Sequence, residues 1–197
     1  MKKLIAVTGG IGSGKSTVTE IISSLGFPTI SCDAVTQKLY KKQSVLRKIK
    51  KIIPNGVKGK LILKPDKPKI ASVIFNDKQK YQEFTEFLTI LTLEKTLKQT
   101  AKLKGLVFVE VPLLFEFNAT NYFDKVIVVT RELNARIESV KTRSRLSTEQ
   151  IRERISSQFD YDNNDLSSYK IITNNGTLSD LEQQVKDLIE QLKTDPN

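Results

Sequence analysis

The chain has no histidine and no tryptophan, and it carries a single cysteine, Cys32. The missing histidine excludes imidazole acid–base chemistry, Ser-His-Asp and Cys-His nucleophiles, and histidine-ligated zinc. Any proton taken up during catalysis must then pass to another group, with a carboxylate the first choice. One cysteine cannot close an internal disulfide, which points to a reducing compartment. No apolar run reaches the roughly 20 residues of a membrane-spanning helix. The opening Met-Lys-Lys and the apolar residues 4–8 have the order of a secretory signal. The run is short, however, and leads into glycines instead of a small-residue cleavage site. A cytoplasmic protein with no membrane partner is the expectation.

What is present fits one domain with small inserted lobes, since the chain has 197 residues. Aromatic residues make up only 7% against 39% apolar, so aliphatic side chains must fill the core. The net charge of +10 is concentrated in one place. Between Lys38 and Lys69 there are twelve basic residues and one acid, Asp66, which leaves the remainder close to neutral. Such a segment either attracts a polyanionic substrate or is a solvated helical face. It is not interleaved with the aromatics that stack bases, so a nucleic-acid partner is not expected.

Strand-like and helix-like patterns alternate along the chain. Strands are expected at 3–8, 28–32, 106–111, 125–130 and 170–173, and helices at 15–25, 34–53, 132–143, 147–159 and 179–192. Residues 54–68 read as a loop or small hairpin, and 69–104 as helical with one break near 76–78. Ser147 with Gln150, and Ser179 with Glu182, have the spacing of capping boxes. The alternation implies an α/β fold in which helices cover a central parallel sheet of about five strands. A core of about 1–33, 105–131 and 160–197 would carry a helical acceptor lobe at about 34–104 and a lid at about 132–159.

Gly9-Gly-Ile-Gly-Ser-Gly-Lys15-Ser16 matches G-x-x-x-x-G-K-[ST] between an expected strand and an expected helix. Phosphate oxygens need several converging backbone amides, and glycines allow that curvature without a Cβ in the way. The following helix dipole strengthens the field. Gly12, Ser13, Gly14, Lys15, Ser16 and Thr17 are the expected ATP ligands. Lys15 reaches the β- and γ-phosphates and Ser16 ligates Mg²⁺. A GTPase would carry Asn-Lys-x-Asp after a strand, whereas Thr173-Asn-Asn-Gly-Thr177 follows the last one here. Small size favours a small-molecule kinase.

Beyond this cradle, Asp33 at the end of the second strand either receives the acceptor's proton or caps the helix that follows. Glu110 ends the third strand, where a carboxylate can hold the metal or its water shell. Glu116 is a looser candidate on the same rim. Arg143, Arg145, Arg152 and Arg154 crowd the expected lid, where an arginine can stabilise charge on a transferring phosphate.

Together these motifs resemble the dephospho-coenzyme A kinase family over nearly the whole chain. The matching pieces are Val7-Thr-Gly-Gly-Ile-Gly-Ser-Gly-Lys-Ser-Thr17, Val111-Pro-Leu-Leu-Phe-Glu116, Arg143 with Leu146-Ser147, Arg154-Ile-Ser-Ser-Gln158, and Asn174-Asn-Gly176. The resemblance implies transfer of the ATP γ-phosphate to the ribose 3′-hydroxyl of dephospho-CoA, with Mg²⁺, in a monomer or weak homo-oligomer. It implies Asp33 as general base, Arg143 facing ATP, Asn174 at the nucleotide, and Glu116 and Arg154 at the acceptor. The chain departs from the family at several places. Ser31-Cys32-Asp33 replaces Asp-Ala-Asp, Glu110 replaces Asp, and Ile70-Ala71 replaces Leu-Arg. Thr89-Ile90 stands for His-Pro, and Ser139 for a lid arginine. Two other readings compete: a kinase acting on a nucleoside or nucleotide, and an ATP-binding regulator without turnover.

Overall fold

The computed structural model describes residues 2–144 and 146–194. In chain order the elements are β1 (Lys2–Thr8), α1 (Lys15–Ser24), β2 (Thr29–Ser31), α2 (Cys32–Leu39) and α3 (Gln43–Ile52). A hairpin of β3 (Val57–Lys58) and β4 (Lys64–Pro65) precedes α4 (Lys67–Asn76) and α5 (Lys78–Thr100). Then come β5 (Gly105–Glu110), β6 (Lys125–Thr130), α6 (Leu133–Arg143), α7 (Thr148–Ser156), β7 (Lys170–Thr173) and α8 (Leu178–Thr194). The chain divides into two compact units, one holding Met1–Ser31 and Lys102–Asn197, the other Cys32–Ala101.

The first unit is built on a parallel sheet of order β2-β5-β1-β6-β7. β1 is buried on both faces from Leu4 onward, which is why its sequence is a continuous apolar run and not an alternating one. The chain moves from β1 to one side of the sheet and later returns to the other. That reversal at the carboxyl end of β1 is where open α/β sheets bind ligands. One sheet face packs Ile5, Val7, Phe108, Ile127, Val129 and Ile172 against α1 and α8. These two helices present Val18, Ile21, Ile22, Leu181, Val185, Leu188, Ile189 and Leu192 at helical spacing. A smaller cluster of Ile137, Val140 and Ile151 joins α6 to α7.

The second unit gathers α2–α5 and the hairpin. The single helix expected over 34–53 is two helices, because the chain turns at 40–42. The amide of Gln43 then pairs with both backbone groups of Leu63 (3.0 and 2.9 Å), tying the start of α3 to the hairpin. α5 buries Phe84, Thr92, Thr96 and Thr100. Its threonines bond within the unit, Thr92 to Thr36 at 2.9 Å and Thr96 to the Cys32 sulfur at 3.7 Å. Asp66 is buried, pairs with Lys58 at 3.0 Å and caps α4. The bond from Lys58 holds its carboxyl below the usual range.

The capping box of Ser147 and Gln150 is formed. At the last helix the expected pair of Ser179 and Glu182 is displaced by Thr177 and Asp180. The Asp180 amide donates to Thr177 Oγ1, and the Thr177 amide donates to the Asp180 carboxylate. Both pairs share the same spacing, and the one bordering the turn wins because its backbone is not yet helical. α2 begins at Cys32, so Asp33 lies inside its first turn. That removes the reading of Asp33 as the cap before Ala34.

Ile5 is fully buried in the central strand, while Ile171 on the edge strand is 47% exposed. Ile5→Ala is expected to cost about 3 kcal/mol in urea denaturation, and Ile171→Ala under about 1 kcal/mol. Equal losses would contradict this sheet order.

Candidate active site

The loop from Gly9 to Gly14 turns sharply between β1 and α1. Gly12 (φ 78°) and Gly14 (φ 98°) occupy the left-handed region, which only glycine enters at little cost. Gly14 is also the N-cap of α1 and offers no side-chain cap. The first-turn amides of the helix are thus left to a ligand, with the positive end of the dipole behind them.

A loop that turns its amides inward sends its carbonyls outward, and here the outward groups find partners. Lys15 Nζ donates to the carbonyls of Gly9 (2.8 Å) and Gly10 (3.0 Å). Asn174 Nδ2 donates to the Ser13 carbonyl at 2.9 Å. Arg136 Nε donates to the Ile11 carbonyl at 3.2 Å, while the Ile11 amide donates to Gln158 Oε1 at 2.8 Å. Arg136 also pairs with Asp162 at 3.3 Å and is only 3% exposed. Beneath the first glycine, the hydroxyls of Thr8 and Tyr161 are hydrogen-bonded at 3.3 Å.

The cradle thus brings Gly12, Ser13, Gly14, Lys15, Ser16, Thr17 and Asn174 together. Glu110 is in register with Val7 on β1 and with Ser31 on β2, placing it at the same end of the sheet. Glu116 accepts from the Phe159 amide at 2.9 Å, and its other oxygen is buried without a hydrogen-bond partner. Arg143, at the end of α6, and Arg154, on α7, are both exposed, as are Arg152 and, in the other unit, Asp33. Arg145 lies outside the described residues.

Sequence reasoning missed Arg136 and Tyr161. A signal for Arg136 is present, since it falls on the inward stripe of α6 with Ile137 and Val140, where a charge is out of place unless it serves something.

A parallel sheet whose central strand runs through a glycine-rich phosphate loop into a helix is the architecture of the P-loop kinases, and this chain is of that class. The model of the family described as dephospho-CoA kinase matches residues 3–180. The chain belongs to that family. It is 31% identical to the dephospho-CoA kinase of Streptococcus agalactiae, covering 98% of this chain and 100% of the relative. Among solved structures, a dephospho-CoA kinase from Campylobacter jejuni superposes with a TM-score of 0.72 at 30% identity, covering 98% of each chain. A Thermus thermophilus protein superposes with a TM-score of 0.83 at 28% identity, covering 97% of this chain and 98% of its own.

Burial pushes the Tyr161 hydroxyl up to about 12. Because the folded state resists its ionisation, the stability it contributes is complete below the ordinary tyrosine value near 10. That stability is lost as the pH rises through about 12. Tyr161→Phe should therefore lose less stability than the wild type between about pH 10 and about pH 12, followed by denaturant melts. Parallel loss in both proteins would place the Tyr161 hydroxyl in solvent.

Proposed function

We propose that the protein transfers the γ-phosphate of ATP to the ribose 3′-hydroxyl of dephospho-CoA, giving CoA and ADP. The observation that carries this reading is an intact, braced phosphate cradle in a chain that belongs to the dephospho-CoA kinase family. Residues Gly12–Thr17 hold the ATP phosphates through backbone amides. Lys15, which lies across the Gly9 and Gly10 carbonyls, turns its ammonium to the β- and γ-phosphates.

Mg²⁺ suits the oxygen groups at this end of the sheet. Ser16 exposes a hydroxyl at the start of α1, and the Glu110 carboxylate ends the neighbouring strand. Magnesium keeps several waters and takes phosphate oxygens, so one or two protein oxygens suffice. When bound with ATP, the ion neutralises charge on the phosphate oxygens.

Asp33, in the first turn of α2, takes the proton of the 3′-hydroxyl as its oxygen attacks the γ-phosphorus and ADP leaves. With no histidine in the chain, a carboxylate is the group suited to that step. Arg143 is the long exposed cation suited to the ATP phosphates, and Arg154 suits the anionic acceptor. The unpartnered oxygen of Glu116 is an acceptor for a donor on that substrate. In this reading residues 34–104 form the acceptor lobe and 132–159 the lid.

ADP release should require dephospho-CoA and yield CoA. Release with a nucleoside or nucleotide instead would move the acceptor. Lys15→Ala should lower kcat at least about 100-fold. Asp33→Asn should lower kcat by about 10²–10⁴ while the KM for ATP changes less than about threefold. A kcat near wild type would take the base elsewhere.

A further inference from the structure

Gly10 differs from the other glycines of the cradle. Gly9, Gly12 and Gly14 have positive φ, whereas Gly10 does not, so its backbone is open to any residue. What excludes a side chain there is Arg136. A Cβ on Gly10 would strike Nη2 of the guanidinium and lie 2.8 Å from its Cζ. The same arginine presents its own backbone to Gly12, where a Cβ would come within 3.0 Å of its Cα. Its side chain is 4% exposed, yet that of its ion-pair partner Asp162 is more than half exposed. The guanidinium thus spans from solvent-facing Asp162 to the Ile11 carbonyl, with its flat face under the loop.

We propose that Arg136 is a positioning residue for the phosphate cradle, and that Gly10 is glycine in order to seat its guanidinium. The bond from Nε fixes the Ile11 carbonyl outward, and a peptide plane fixed at its carbonyl also fixes the amide of the next residue, Gly12. The plane of the guanidinium against Gly10 prevents the loop from settling back when no nucleotide is present. Arg136 acts through the loop and not by touching the nucleotide. The proposal rests on the nucleotide-binding reading of the loop, but not on the identity of the acceptor.

The test uses the full chain and calorimetric binding of Mg·ADP, a readout that involves no acceptor. Thermal melts and the KM for dephospho-CoA are measured alongside. Arg136→Met should weaken ADP binding at least about tenfold, the size expected for losing a hydrogen bond from a charged group. The KM for dephospho-CoA should change less than about threefold. Arg136→Lys should bind ADP nearly as weakly as the methionine variant, because an ammonium keeps the charge but neither the fork nor the flat face. Full recovery by lysine would make the residue a source of field only and overturn the positioning role.

Gly10→Ala should weaken ADP binding about tenfold alone, and less than about twofold when added to Arg136→Met, where the guanidinium is gone. An equal penalty in both backgrounds would show that Gly10 serves something else. Should Arg136→Met fail to fold, Arg136→Lys takes its place in the cycle, and a loss of about tenfold from Gly10→Ala in both the wild-type and the lysine background would overturn the pairing. If dephospho-CoA proved not to be the acceptor, these ADP affinities would stand unchanged.

Discussion

Everything at this site depends on satisfying backbone groups that a phosphate cradle cannot satisfy by itself. Strands and helices pair their own amides and carbonyls, but a loop that aims its amides at an anion has carbonyls pointing the other way. Each of these, left bare beside a packed core, would carry a desolvation cost of about 1–3 kcal/mol. The chain answers with one side chain from the end of the loop itself and two from distant segments. Lys15 covers Gly9 and Gly10, Arg136 covers Ile11, and Asn174 covers Ser13. The fold of the first unit is arranged to deliver them. β7 lies beside β6, the Asn174 amide bonds the Thr130 carbonyl at 2.9 Å, and the next side chain, Asn175, accepts from the Glu132 amide at 2.9 Å. The carboxyl ends of β6 and β7 are thereby locked together, with Asn174 held over Ser13.

Four of the aromatic residues gather at the same place. Phe115, Phe159, Tyr161 and Tyr169 form one cluster with centroid separations of 4.5–5.8 Å. Aromatic pairs in these tilted and edge-on geometries add to the stabilisation from burial alone. Their service is positional. The Phe159 amide is held by Glu116, and on either side of it Gln158 takes the Ile11 amide and Tyr161 bonds Thr8. The segment 158–161 therefore acts as a strap under the cradle. In a protein whose core is mostly aliphatic, four rigid flat side chains are placed where the backbone must not move.

The cradle and the buried strands were legible because each depends on local chemistry: glycines where φ must be positive, and unbroken apolar runs where both faces are covered. The division between α2 and α3 was not, because Tyr40–Lys42 carries no glycine or proline and the turn is fixed by Gln43 gripping a hairpin 20 residues away. α5 hid its inner face for a different reason. Thr92, Thr96 and Thr100 sit at helical spacing, but they look polar to any apolar count, and only the bonds of Thr92 and Thr96 to α2 show why that face is buried. The cap of α8 was misplaced by two residues because two boxes overlap in sequence and only the conformation of the turn decides between them. Arg136 is hidden in the sequence because an arginine on a helix reads as a surface cation, and the one that matters for the loop is the one with almost no surface.

Burial also decides which charges shape the field at the cradle. The exposed lysines between Lys38 and Lys69 dominate the net charge, but exposed charges are screened over about 8 Å at physiological ionic strength. Arg136 is excluded from that screening, and its carboxylate partner Asp162 stands largely in water. An unpaired buried guanidinium would be expensive, and a fully buried ion pair would cancel its own field. Half-burying the pair, with the cation inside and the anion outside, avoids both costs. The positive end lies under the loop, where the dielectric is low, and the negative end lies where water weakens it. Together with the uncapped start of α1, the arrangement makes the phosphate site attractive to an anion through fixed dipoles that one sheltered side chain holds in place, with little reliance on the lysine-rich surface that a glance at composition would credit.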